Sequence, residues 1–135
     1  MNVFLNGEFM PIEQARVPVL DRGFIFGDGV YEMIPVYSRV PFRLPEHLVR
    51  LRASLAAVSM ADPYPEARWV ERIARIIDAN PWNDQSVYLQ ITRGVAPRDH
   101  SFKPLTPTVF IMAGPLTTPP REQVEHGVAA ITHAD

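Results

Sequence analysis

A strand-like alternation that stops abruptly in a charged loop is the feature that most constrains how this chain can fold. Residues 87–92, V-Y-L-Q-I-T, alternate apolar with polar or aromatic side chains, which is the period of a half-buried β-strand. Gly94 and Pro97 then interrupt the pattern, because glycine permits unusual dihedral angles and proline cannot donate a ladder hydrogen bond. We therefore expect a strand that carries a loop at the end of a sheet.

Arg98 and His100 lie in that loop, two residues apart, so in extended chain their side chains point the same way. A guanidinium beside an imidazole can bind a carboxylate, and each charge-assisted hydrogen bond would contribute roughly 1.5–3 kcal/mol. The same spacing is also typical of two solvated loop side chains beside Asp99. Spacing alone leaves both interpretations open.

Other segments of the chain show helical and strand patterns in alternation. Asn6-Gly7 between short apolar runs indicates a β-hairpin, and residues 106–114 repeat the strand period. Two stripes at helical spacing indicate two amphipathic helices, one formed by Leu48, Leu51, Leu55 and Val58, the other by Trp69, Ile73, Ile76 and Ile77. The sequence therefore predicts an α+β fold: an antiparallel sheet of about five or six strands with two amphipathic helices on one face.

The segment 30–37 is predicted to be a strand with two different faces. Tyr31, Met33 and Tyr37 fall on one face, which is typical of an amphipathic lining. Glu32 falls on the other face with apolar neighbours. Simple packing of Tyr31 at a sheet edge explains the pattern equally well.

Composition excludes several classes of function. A net charge of −2 argues against nucleic-acid binding, which needs a basic face, and no apolar run approaches the roughly 20 residues of a membrane helix. The absence of cysteine excludes disulfides and thiolate zinc sites and fits a cytoplasmic location. The four histidines show no metal-ligand spacing, so no metal site is expected.

The end of the chain suggests a boundary between domains. Residues 1–114 are predicted to form a small N-terminal α+β domain, and the proline-rich segment 115–121, P-L-T-T-P-P-R, is predicted to be an interdomain linker. Residues 127–133 show a new strand pattern. We therefore expect residues 122–135 to begin a truncated second domain.

Three segments of the sequence resemble the fold-type IV (class IV) pyridoxal-phosphate aminotransferases, and most closely the D-amino-acid aminotransferases. They are D-R-G-F-I-F-G-D-G-V-Y-E at 21–32, E-H-L-V-R-L-R-A-S at 46–54 and T-R-G-V-A-P-R-D-H at 92–100. The resemblance extends from about Phe4 to Gly127. It implies the small domain of that fold and a homodimeric enzyme that transfers amino groups between D-amino acids and 2-oxo acids.

The same resemblance implies roles for particular residues. Arg98 and His100 would bind the substrate carboxylate together with the Tyr31 hydroxyl, and their loop would serve the neighbouring subunit of a homodimer. Arg50 would bind the phosphate of pyridoxal 5′-phosphate. Met33 would line the substrate pocket, where the family usually has an aliphatic residue, and this departure leaves the side-chain preference open.

The catalytic lysine of the family matches no position in these residues. Lys103 is the single lysine and does not align with the Schiff-base lysine, so residues 1–135 alone are expected to be inactive. Aminodeoxychorismate lyase and branched-chain aminotransferase are alternatives with the same fold. An alternative of another class is a non-catalytic module that binds a carboxylate or promotes dimerisation.

Overall fold

A six-stranded antiparallel sheet lies at the centre of the computed structural model, which describes residues 1–101 and 104–134. Its strands are β1 (Asn2–Leu5), β2 (Glu8–Pro11), β3 (Gly29–Tyr37), β4 (Val40–Pro41), β5 (Gln85–Thr92) and β6 (Thr108–Pro115). They lie side by side in the order β2-β1-β6-β5-β3-β4. Lys103 is outside the described residues.

Two of the helices cover one face of this sheet. The α-helices of the described chain are α1 (Arg22–Phe26), α2 (Leu44–Ala57), α3 (Glu66–Asp78) and α4 (Arg121–His126), and a short 3-10 helix spans Ile12–Gln14. Helix α2 packs on β3, and α3 packs on β1, β5 and β6. The apolar stripes of both helices are buried there, except that Val58 follows the end of α2 and is half-buried. Each large side chain removed from water contributes roughly 1.5–3 kcal/mol. The predicted α+β fold, with two amphipathic helices on one face, is confirmed.

Strand β3 separates a buried face from an open one, as its sequence pattern predicts. Glu32, Ile34 and Val36 point toward the helices and are buried. Tyr31 and Met33 point to the opposite face and are 66% and 46% exposed. The open face of the sheet therefore presents the two β3 side chains that the sequence selected as candidate site residues.

The glycine-rich segment 21–29 contains the short helix α1 at its centre. Asp21 caps the start of α1, since its Oδ1 accepts a hydrogen bond from the Gly23 amide at 2.8 Å. Gly27 ends the helix in the left-handed conformation, with φ of +65°. Asp21 and Gly27 therefore mark the start and the end of α1.

Gly94 determines where the chain leaves β5. Its φ is +101°, and a Cβ atom at this position would lie 2.0 Å from the carbonyl oxygen of Thr106. Only glycine fits such a backbone conformation next to a neighbouring carbonyl group. The loop with Arg98 and His100 therefore begins at Gly94.

The end of the chain differs from expectation at residues 127–133. This segment forms no strand, and α4 precedes it. A strand needs a hydrogen-bonding neighbour, and none of the described strands pairs with this segment. The predicted domain boundaries stay a prediction. Among residues 1–101 and 104–134, no helix is long and apolar enough to cross a membrane.

Candidate functional site

A buried carboxylate on β3 is the centre of the first group of polar side chains. The Glu32 side chain is only 2% exposed and lies beneath α2. It accepts hydrogen bonds from Arg50 Nε and from His47 Nδ1, each at 2.8 Å, and a further one from Arg50 Nη2. Helix α2 supplies both donors, because positions 47 and 50 are three residues apart and share one side of a helix.

The charge state of this group follows from its contacts. Burial raises the pKa of Glu32, but the hydrogen bonds and charges of Arg50 and His47 outweigh it and hold the pKa below its usual value. An ionised carboxylate only accepts hydrogen bonds, so His47 carries its proton on Nδ1. The hydrogen bond from Arg50 to Glu32 stabilises the charged form of Arg50 and therefore raises the pKa of its guanidinium.

Arg50 presents the rest of its guanidinium group to solvent. Its side chain is 64% exposed, and with Met33 and His47 it lines a cavity of about 520 Å³. Its Nη1 has no hydrogen-bond partner among the described residues. Glu32 fixes one edge of the guanidinium, so the other edge remains available for an anion. Met33 contacts the same cavity, and its sulfur accepts a hydrogen bond from Ser86 Oγ at 2.8 Å.

Replacing Glu32 with Gln is expected to lower the free energy of unfolding by about 1–3 kcal/mol near pH 7, because charged hydrogen bonds of that size are lost. The folded-state pKa of Glu32 lies below the unfolded value. Ionised Glu32 therefore stabilises the protein above the unfolded pKa, and this contribution disappears as the pH falls through the folded-state pKa. Urea unfolding from about pH 7 down to about pH 3 should show the variant and wild type converge.

The exposed Glu13 provides the control for this measurement, since Glu13→Gln should change the free energy of unfolding little at any pH. A difference between Glu32→Gln and wild type that stays constant with pH would contradict the role of ionised Glu32.

A second group of side chains surrounds the ring of Phe26, at the end of α1. The Arg98 guanidinium carbon lies 5.3 Å from the centre of that ring, and the imidazole of His100 lies 5.4 Å from it. Arg22 contributes a third cation, 4.7 Å from the ring centre. Arg98 and His100 are both exposed, so their polar atoms remain accessible to a ligand while the aromatic ring supports them.

A buried ion-pair network lies beneath this second group. Asp28 Oδ2 accepts hydrogen bonds from Arg22 Nε and Arg93 Nε, each at 2.8 Å. Burial raises the pKa of Asp28, but the two guanidinium groups outweigh it and hold the pKa below its usual value. Arg22 also donates from Nη1 to the carbonyl oxygen of Asp99 at 2.7 Å. The network therefore connects α1 to the loop with Arg98 and His100.

The structure brings some of the candidate residues together and keeps others apart. Arg98 and His100 share the Phe26 ring, whereas Tyr31 contacts Tyr88, with 6.0 Å between ring centres. No hydrogen bond, ion pair or ring contact joins Tyr31 to Arg98 or His100 in the described part of the chain. That part also contains no group of three or more His, Asp or Glu side chains arranged to hold a metal ion.

Several residues of both groups were missed by sequence reasoning. The sequence pattern places Glu32 on a buried strand face. A buried acidic side chain requires a basic or hydrogen-bonding partner, and this requirement indicates His47 and Arg50 on the facing helix. No comparable signal exists for Phe26 and Arg22, because their contacts join segments more than seventy residues apart. Asp28 carries no such signal either.

Comparisons with known proteins identify what the chain is similar to. The family model for class IV amino-transferases matches residues 29–135. A D-alanine aminotransferase from Bacillus licheniformis is 40% identical over 136 residues, which cover 100% of this chain and 48% of that protein. The chain therefore spans about half the length of the curated relatives it matches.

Solved structures show the same fold. A branched-chain aminotransferase from the archaeon Thermoproteus uzoniensis, solved with norvaline, superimposes with a TM-score of 0.79 at 26% identity, over 87% of this chain and 41% of that one. A hypothetical aminotransferase from Mycobacterium tuberculosis, in its PLP-bound form, superimposes with a TM-score of 0.72 at 21% identity. That match covers 87% of this chain and 40% of the other.

Proposed function

The chain belongs to the class IV aminotransferases, and from this premise we propose that it is the N-terminal part of an enzyme that transfers amino groups between D-amino acids and 2-oxo acids. The named D-alanine aminotransferases among its relatives support this substrate class. The observation that carries the proposal is the convergence of Arg98 and His100 on the Phe26 ring, which leaves two exposed nitrogen-bearing side chains able to bind one carboxylate.

Arg98, His100 and Tyr31 are proposed to bind the α-carboxylate of the substrate. An arginine offers parallel N–H donors that match a carboxylate, the imidazole adds another donor, and the phenol adds an O–H donor. Arg98 and His100 contact Phe26, whereas Tyr31 contacts Tyr88 on the open sheet face. This separation supports a homodimer in which the Arg98 loop completes the site of the neighbouring subunit. A cytoplasmic location stays a prediction from composition.

Arg50 is proposed to bind the phosphate of pyridoxal 5′-phosphate. The donor set fits this group, because Glu32 orients the guanidinium of Arg50 and Arg50 lines the same cavity as Met33. When bound, the cofactor supplies the electron sink that makes the α-proton of an amino acid removable. In this chain Arg50 would anchor the phosphate, Glu32 and His47 would hold Arg50 in place, and Met33 would limit the size of the substrate side chain.

An assay of the full-length protein loaded with pyridoxal phosphate tests the proposal. D-alanine and 2-oxoglutarate should yield pyruvate, whereas L-alanine should yield none. If the protein instead transaminates branched-chain L-amino acids, the proposed D-amino-acid substrate class is wrong. Release of pyruvate from aminodeoxychorismate would identify a lyase. An absence of all three activities in a folded, cofactor-loaded protein would overturn the proposal.

A further inference from the structure

We infer that Phe26 and Arg22 are positioning residues that hold Arg98 and His100 in the arrangement needed to bind one carboxylate. This inference rests on the proposed function, because it assumes that Arg98 and His100 contact the substrate. In this arrangement, the short helix α1 of the glycine-rich segment supports the loop that carries both carboxylate-binding side chains.

Phe26 provides a common surface for two side chains that are otherwise exposed. The Arg98 guanidinium and the His100 imidazole lie at similar distances from its ring centre, 5.3 Å and 5.4 Å. An aromatic ring attracts a guanidinium through its negative face and also packs against an imidazole. Long exposed side chains otherwise lose rotamer entropy when they bind a ligand. Contact with one ring restricts both side chains before the substrate arrives.

Arg22 fixes the backbone between the two carboxylate-binding residues. Its Nη1 donates to the carbonyl oxygen of Asp99 at 2.7 Å, and Asp99 is the residue between Arg98 and His100. Arg22 is itself buried and is held by Asp28 through its Nε. A rigid guanidinium in a fixed position therefore determines where the loop turns.

The start of the loop is held by separate contacts. The Arg22 amide donates to the Gly94 carbonyl oxygen at 2.9 Å, and the Ala96 amide donates to the Leu20 carbonyl oxygen at 3.3 Å. These are backbone bonds, so side-chain substitutions at 22 or 26 leave them possible. A change at Phe26 should therefore loosen residues 98–100 without releasing the whole loop.

Phe26→Leu in the full-length holoenzyme tests this inference, because leucine keeps an apolar side chain but removes the ring. We expect the KM for D-alanine to rise about tenfold with little change in kcat, since misplaced binding groups weaken ground-state and transition-state binding alike. Phe24→Leu is the matched control. Phe24 lies on the same short helix and is 76% exposed. Within the described part of the chain no ring contact joins Phe24 to Arg98 or His100, so the KM of Phe24→Leu should match that of the wild type.

Arg22→Lys provides a second variant that keeps the positive charge near Asp28. Lysine cannot present the planar fork that joins Asp28 to the Asp99 carbonyl, so the KM should rise here as well. NMR spectra of histidine-labelled protein give a readout independent of activity. The His100 ring signal, assigned with His100→Gln, should shift in Phe26→Leu and stay in place in Phe24→Leu.

The outcomes separate this inference from the proposed function. If Arg98→Ala raises the KM while Phe26→Leu and Arg22→Lys leave both the KM and the His100 signal unchanged, the positioning role is wrong and the carboxylate role stands. If Arg98→Ala leaves the KM for D-alanine unchanged, Arg98 does not bind the substrate carboxylate, and the proposed function is contradicted rather than the positioning role alone. A shifted His100 signal together with a raised KM supports the inference.

Discussion

Arg98→Ala is expected to raise the KM for D-alanine about a hundredfold or more, which makes it the largest effect on activity. Loss of paired charge-assisted hydrogen bonds removes about 3 kcal/mol of substrate binding, and each 1.4 kcal/mol corresponds to a tenfold change in affinity. Arg98 is exposed, and its side chain contacts the Phe26 ring, so the fold should tolerate the change. Steady-state kinetics with D-alanine and with pyruvate in the reverse direction measure the effect.

Two further variants make this measurement specific. Arg68→Ala removes an exposed arginine whose guanidinium pairs with Glu71 on α3, so the KM of this variant should match that of the wild type. Arg98→Lys keeps the charge but loses the bidentate geometry, and it should recover only part of the lost affinity. Wild-type kinetics for Arg98→Ala would remove Arg98 from the carboxylate site.

Mixed dimers test whether the Arg98 loop serves the neighbouring subunit. If the loop acts across the dimer, a heterodimer of Arg98→Ala and Arg50→Ala subunits contains one intact site and one doubly defective site. If the loop acts within its own subunit, both sites are defective. Recovery of wild-type activity at low D-alanine concentration on mixing the two defective variants therefore supports the homodimer proposal, and an activity that stays low contradicts it.

The sheet and the two long helices could be predicted because their signals are local. Alternation along 87–92 and the Leu48 and Trp69 stripes report which side of each element faces the core, and this information needs no knowledge of the partner element. The split of β3 into an exposed Tyr31 face and a buried Glu32 face follows from the same period.

The connections between elements could not be predicted in the same way. The Arg22 bond to the Asp99 carbonyl joins residues 77 positions apart, and neither residue shows this in its local sequence. Helix α1 was missed because five residues are too few to display a helical period. The pairing of Arg50 with Glu32 depends on α2 lying over β3, which only the folded chain shows.

Asp28→Asn is expected to produce the largest loss of stability, about 3–5 kcal/mol in the free energy of unfolding. The Arg22 and Arg93 side chains are only 5% and 8% exposed, and both donate to Asp28. Asparagine has nearly the same shape, but it removes the carboxylate charge with which both buried guanidinium groups pair. Part of this loss of stability is expected even if the asparagine oxygen still accepts one hydrogen bond.

Urea unfolding of the full-length protein measures this loss, and Asp84→Asn is its matched control. Asp84 is exposed and accepts one hydrogen bond, from the Ser38 amide at 2.8 Å, so its replacement should cost about 1 kcal/mol or less. Equal effects of the two variants would show that Asp28 is not the counter-charge that holds Arg22 and Arg93. If Asp28 also fixes Arg22 in place, Asp28→Asn will raise the KM for D-alanine as Arg22→Lys does, because the Asp99 carbonyl loses its oriented donor.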